Sequence, residues 1–238
     1  MQKRQNGTCG WIQEREVFEK WLSPEFVNGL KVLWINGSAG FGKIILCASV
    51  VEYLLSTLDT PVGYFFITSE SRGRDDPFFA VRAWVSQLVC QHQGAFECAH
   101  HTWEDDADIV SSRDTCLGVL AQITQLVPGC TFVIDGLDEC THLHTQSTSA
   151  AAFIDTITTS LSSSTSRLLL VSRDEPRIRY SIARYCTEYT ISPEDVRLDT
   201  ASVSKEIIDR KLHKKLDEFR DLLSETMTSL SFPLRAGR

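Results

Sequence analysis

A chain of 238 residues, 42% hydrophobic and 23% charged, has room for one sizeable globular domain and a small appendage. Its 24 basic and 31 acidic residues leave a formal charge of −7, which argues against a nonspecific nucleic-acid binder, whose footprint is basic. No apolar run reaches membrane-spanning length, and the N-terminal MQKRQNGTCGWIQ has no apolar core behind its basic residues, so neither a membrane span nor a secretory signal is expected. Cysteines at 9, 47, 90, 98, 116, 130, 140 and 186 form no C-x-x-C pair, and several lie inside apolar runs. Reduced thiols and a cytoplasmic setting are expected.

Residues 1–28 read as a lead-in. Within it WIQEREVFEKWL (11–22) sets Trp11, Phe18 and Leu22 at helical spacing, which predicts a short amphipathic helix packed on the core. Pro24 ends it. KVLWIN (31–36) is a β-rich run and KIILCASVVEYLLSTL (43–58) a nearly continuous apolar one, read as a buried helix. Between them lies GSAGFGKI. A phosphate-cradling loop reads G-x-x-x-x-G-K-[ST]: glycines let backbone N–H groups curl around phosphate oxygens, the lysine reaches the outer phosphates, and the hydroxyl ligates Mg²⁺. Gly37, Gly42 and Lys43 fit, Ser38, Ala39, Gly40 and Phe41 form the curl, and Ile44 stands at the hydroxyl position.

PVGYFFIT (61–68) predicts a second strand, SESRGRDD (69–76) a polar loop, and residues 78–89 a helix whose face carries Val81, Trp84, Val85, Leu88 and Val89. Residues 91–113 read as a solvated loop, or one holding a broken helix, with an acidic patch at 104–108. Cys90, His92, Cys98, His100 and His101 crowd this region, but their spacing matches no standard zinc arrangement, and no metal is expected there. DTCLGVLAQITQLV (114–127) returns to helical spacing with Asp114 as N-cap.

CTFVIDGLDEC (130–140) delivers Asp135 at the C-terminal end of a β-branched run, followed by Gly136 and the acids Asp138 and Glu139. Ligands of parallel sheets bind at the carboxyl ends of strands. Asp135 is therefore placed to hold Mg²⁺ through water, and Asp138 or Glu139 to orient a hydrolytic water. A hairpin turn at Asp-Gly is the disfavoured alternative, because the run does not alternate. His142 and His144 on the next polar loop read as solvent-exposed. Residues 149–161 predict a helix burying Phe153, Ile154, Ile157 and Leu161, and RLLLVSR (167–173) a strand buried on both faces. Arg173 at its mouth either meets a γ-phosphate or pairs with Asp174 or Glu175, and local sequence favours the pair. A short helix, a strand at 185–192, an amphipathic helix at 199–227 and a tail at 228–238 complete the chain. Alternation of strands and helices predicts an α/β fold, an open parallel sheet with helices on both faces.

GSAGFGK, FVIDGLDEC and LLLVSRDEP, in that order, resemble the NACHT-type P-loop domains of STAND-class signal-transduction NTPases. The likeness is to the nephrocystin-like N-terminal domain of fungal ankyrin- and WD-repeat proteins, over roughly residues 7–225. The resemblance implies a three-layer α/β/α sandwich with a five-stranded parallel sheet of order 5-1-4-3-2 within residues 29–198. It implies ATP or GTP on the Gly37–Ile44 loop and Mg²⁺ beside Asp135. Asp138 and Glu139 become the catalytic acids and Arg173 the phosphate sensor, against the local preference for a surface pair. It also implies a switch with protein partners or self-association, without nucleic acid or membrane.

Two departures qualify this. Ile44 removes an oxygen ligand, so retained nucleotide binding with weakened Mg²⁺ dependence and slow or absent hydrolysis is expected. The helical arm and repeat array of the family are not visible after residue 227, and no repeat period appears. Fragment, truncated product and stand-alone module all fit. The rival reading is a non-catalytic interaction module with a decayed loop. A metabolic kinase ranks third, because residues 69–113 offer few convergent basic residues.

Overall fold

The computed structural model describes residues 9–23, 29–69, 76–105, 112–140 and 149–197. The expected helix at 199–227, the tail, His142, His144 and residues 106–108 of the acidic patch lie outside them.

Five strands form one sheet: β1 (Lys31–Asn36), β2 (Val62–Phe66), β3 (Thr131–Asp135), β4 (Arg167–Ser172) and β5 (Cys186–Thr190). Every pairing is parallel and the order is β2-β3-β4-β1-β5, the expected 5-1-4-3-2. The central strands β1, β3 and β4 read as largely apolar runs because both faces are covered, whereas the edge strand β5, CTEYT, is half-buried to exposed. Val32, Trp34, Phe132, Ile134, Leu168 and Leu170 face one core, with Trp84 and Phe153 opposite them. Leu33, Ile35, Val133, Leu169 and Val171 face a second core, with Phe18, Trp21, Leu46, Val50 and Leu54.

The second core is covered by α1 (Glu16–Leu22) and α2 (Lys43–Thr57). The first is covered by α3 (Phe79–Gln91), α4 (Gln93–Asp105), α5 (Arg113–Leu126), α6 (Ala150–Ser160) and α7 (Pro176–Ile182). The sheet is therefore the middle layer of a three-layer α/β/α sandwich. Asn36 pairs with Ser172, and Asp135 with Val171. The three segments that leave β1, β3 and β4 therefore emerge along one edge of the sheet.

Three local expectations change. The N-terminal helix is two pieces: a 3-10 turn over Gly10–Glu14, then α1, with Arg15 extended between them at φ −83 and ψ 127. The break rephases the buried face to Ile12, Phe18 and Trp21, leaving Trp11 and Leu22 only half-buried. Residues 93–105 form one continuous helix where a loop, with at most a broken helix, was expected. Its inward stripe is Ala95 and Ala99, both fully buried, a contact through small side chains that lets α4 lie close to α3 and α5. The N-cap of α5 is Ser112, whose side chain accepts from Thr115 N, with Asp114 inside the first turn.

Side chains also close the outer edge of β2. Gln87 accepts from Tyr64 N at 2.7 Å and donates to Tyr64 O at 3.1 Å. Gln91 does the same for Val62, at 2.9 and 2.8 Å. One helical turn on α3 spans two residues of strand, so the pair of amides reproduces a neighbouring strand's ladder. At the other end of the described chain, Asp195 accepts from Arg15, Tyr189 and Ser192, joining the segment before α1 to the segment after β5.

Candidate functional site

The loop after β1 turns through Gly40 and Gly42, at φ 82 and 72, a conformation that costs any residue with a Cβ. It delivers the N-terminus of the 15-residue α2, where unpaired N–H groups and the helix dipole favour an anion. Ser38, Ala39, Gly40 and Gly42 are exposed, Gly37 is buried, and Phe41 packs against the second core. Lys43 is half-buried and donates its Nζ to Gly37 O and Ser38 O, both at 2.9 Å. Its ammonium thus sits inside the curl of its own loop. Ile44 and Ile45 are 64% and 50% exposed at the same helix start, so the position of the expected hydroxyl presents only carbon.

The segment after β3 is shaped by Gly136. Its φ of 87 is left-handed, and a Cβ there would lie 2.8 Å from Ile67 O. Gly136 N donates to Val171 O at 3.0 Å, tying the turn to β4. A 3-10 turn over Leu137–Glu139 follows, anchored by fully buried Leu137, and turns both acids to the sheet edge. Asp135 is 4% exposed. Burial foremost, then the charges of Asp138 and Glu139 against the opposing pull of Lys43, push its carboxyl up to about 7. Glu139 is half-buried and accepts from Ser69 N at 3.3 Å.

Arg173 meets neither Asp174 nor Glu175. Its backbone N–H donates to Asp138 Oδ1 at 3.0 Å, and its Nε lies 3.1 Å from Asp138 Oδ2. Asp174 is taken by Arg179 Nε at 2.9 Å. The Lys43 ammonium is lowered from its ordinary range, by burial first; Arg173 adds to this, and Asp138 and Asp135 oppose it. The glycine loop, the β3 acids and the β4 arginine therefore share one electrostatic neighbourhood.

Several residues of the site were not anticipated. Trp34 donates its indole N–H to Ser172 Oγ at 2.9 Å, and that hydroxyl donates to Arg173 O at 2.8 Å, fixing the strand end from which Arg173 departs. Asn36, fully buried before the loop, donates to Glu188 Oε1 at 2.7 Å. Glu188 holds Arg179 through both oxygens, at 2.7 and 3.0 Å, and the Arg179 guanidinium lies 4.9 Å over the Trp34 ring. The one signal in the sequence was an asparagine closing an apolar strand.

No group of three or more His, Cys, Asp or Glu side chains is arranged to hold a metal among the described residues. His92 Nδ1 accepts from Gly94 N at 3.1 Å, at the start of α4, and Cys98 Sγ donates to Gln122 at 3.7 Å. For magnesium beside a nucleotide the fit is partial. Asp135 offers a buried carboxylate on which a cation would favour ionisation. Ile44 offers no oxygen, so waters and phosphates would supply the remaining ligands.

The curated relative HET-E-1, the vegetative incompatibility protein of Podospora anserina, is 24% identical over 202 residues, covering 82% of this chain. The chain spans only 14% of that protein's length. The crystal structure of Cdc6p from Pyrobaculum aerophilum aligns with a TM-score of 0.46 at 15% identity, over 85% of this chain and 52% of the other, a distant likeness that adds nothing to the sheet order above. The family model for the N-terminal region of nephrocystin 3 matches residues 7–173, from ahead of α1 to Arg173. By that match over most of its length, the chain belongs to the nephrocystin 3 N-terminal family.

Proposed function

We propose that the chain is the nucleotide-binding module, with ATP the favoured ligand, of a signal-transduction NTPase switch. The single observation that carries this reading is the position of Lys43. Its ammonium occupies the concavity of a left-handed glycine loop at a helix N-terminus, within electrostatic reach of Asp135, Asp138 and Arg173. In this reading residues Gly37 to Ile44 cradle the phosphates, with Lys43 exchanging its two carbonyl partners for phosphate oxygens. Asp135 would hold Mg²⁺ through water, and the ion when bound would neutralise phosphate charge. The resemblance assigns Asp138 and Glu139 as acids for water and Arg173 as the sensor of the terminal phosphate. Ile44 makes hydrolysis slow or absent. Eight cysteines without a disulfide agree with a cytoplasmic setting, and no helix among the described residues is long and apolar enough to cross a membrane.

Calorimetry with ATP, ADP and their guanine counterparts, with and without Mg²⁺, tests the reading. Micromolar or tighter binding that Lys43→Ala abolishes is expected. Absence of binding by the unaltered chain overturns it.

The second reading, a P-loop fold that binds partner chains without using nucleotide, is favoured by the paired exposure of Ile44 and Ile45. Two adjacent isoleucines facing solvent suit a protein contact better than a metal-phosphate shell. Partner capture or self-association that persists in Lys43→Ala without nucleotide would favour it.

A further inference from the structure

The Asp138–Arg173 pair joins residues 35 apart in sequence across the ends of β3 and β4. The Asp138 side chain is 7% exposed, and each of its oxygens is engaged by Arg173, one by the backbone N–H and the other by Nε. A carboxylate held at both oxygens is poorly placed to orient water. Its neighbour Glu139 has, among the described residues, one long contact, 3.3 Å to Ser69 N, and is the freer acid. Arg173 by contrast is 54% exposed, so its guanidinium combines an internal carboxylate with a solvent-facing side. Lys43 lies close enough to sense both charges of the pair.

These contacts set the charge balance around Arg173. The like charges of Lys43 and Arg173 oppose each other, and a nearby anion offsets that repulsion. Asp138 supplies that anion. A terminal phosphate also supplies negative charge, and two of its tetrahedrally disposed oxygens offer a guanidinium fork a paired contact as a carboxylate does.

We propose that Asp138 competes with the terminal phosphate for Arg173, and so sets the preference of the chain between nucleoside tri- and diphosphates. Asp138 is on this view a specificity-determining residue and Glu139, with fewer contacts among the described residues, the acid that orients water. The proposal rests on the nucleotide reading above. A diphosphate, which presents no third phosphate, leaves the pair closed. A triphosphate must draw the guanidinium from Asp138, and part of its binding free energy is spent on that exchange.

The test is a double-mutant cycle read as the ratio of ATP to ADP affinity, measured by calorimetry without Mg²⁺ so that Ile44 plays no part. Asp138→Asn should raise the ratio about fivefold, the scale of a partly exposed ion pair. In an Arg173→Ala background the same substitution should leave the ratio unmoved. An unchanged ratio in Asp138→Asn overturns the proposal. So does a gain that persists without Arg173, because removal of a negative charge would then explain it. Should the amide variant fail to fold, Asp138→Ala reads the same cycle. If the unaltered chain binds neither nucleotide, the nucleotide reading falls and this one with it. Binding with an unmoved ratio overturns this one alone.

Discussion

Arg15 and Asp195, 180 residues apart, meet at 2.5 Å. Asp195 is buried, and its second oxygen accepts from Tyr189 Oη at 3.0 Å and from Ser192 N and Oγ at 2.9 and 2.7 Å. Asp195→Ala strands the hydroxyl and amide donors together, and a loss of about 2 kcal/mol in unfolding free energy is expected. Arg15→Ala should cost less, because that side chain is 42% exposed. Burial acts to raise the Asp195 carboxyl, but the bonds from Ser192, Tyr189 and Arg15 prevail and hold it below its ordinary value. A depressed carboxylate adds stability above the unfolded pKa and loses it as pH falls through the folded one. Urea titrations below pH 4 should therefore show the unaltered chain and Asp195→Ala converging; a constant gap would contradict the clasp.

Asp135 carries the opposite sign. With its carboxyl raised from 3.8 to about 7 by burial and then by Asp138, the folded state holds a proton that the unfolded state releases. Its contribution to stability is full below the unfolded value of about 4 and falls as pH rises to about 7. Asp135→Asn, which cannot ionise, should lose that slope, so its melting temperature relative to the unaltered chain should climb between pH 4 and pH 7 and level off above. Equal slopes in both proteins would sink the assignment.

Gly136→Ala places a Cβ 2.8 Å from Ile67 O on a left-handed residue. A destabilisation of about 2 kcal/mol is expected from backbone strain of this kind. The turn also carries Asp138 and Glu139, so nucleotide affinity should fall further than the loss of folded protein explains. Denaturant melts and calorimetry on the same preparation separate the two effects.

Ile44→Thr restores an oxygen at the start of α2, where the isoleucine is 64% exposed and the replacement meets no core. Folding stability should stay within about 0.5 kcal/mol. Phosphate release should gain a dependence on Mg²⁺ and rise at least tenfold. Equal turnover in the two proteins would show that the missing hydroxyl is not what limits the chemistry.

The central strands were legible because burial on both faces writes itself as uninterrupted Val, Ile and Leu. The places of the glycine loop and of the acids after β3 were legible because glycines and acids punctuate apolar runs at strand ends. The helix α4 was not. Its buried stripe is Ala95 and Ala99, too small to stand out among glutamine and histidine neighbours. The break at Arg15 escaped because periodicity records which residues share a face and not where the phase resets. Arg173 shows a third limit. Its two adjacent acids suggested a local pair, while Asp138, remote in sequence, is brought to it by the register of β3 on β4. The Asn36–Glu188–Arg179 chain likewise depends on β5 lying beside β1, which no local pattern states.

The amides of Gln87 and Gln91 give the sheet a direction of growth. Exposed strand edges invite addition of another chain, and here two side chains from α3 have already taken the place of that chain on β2. A strand supplied by a partner or a second copy would find the hydrogen bonds of Val62 and Tyr64 already made, so addition beside β2 would have to displace both glutamines.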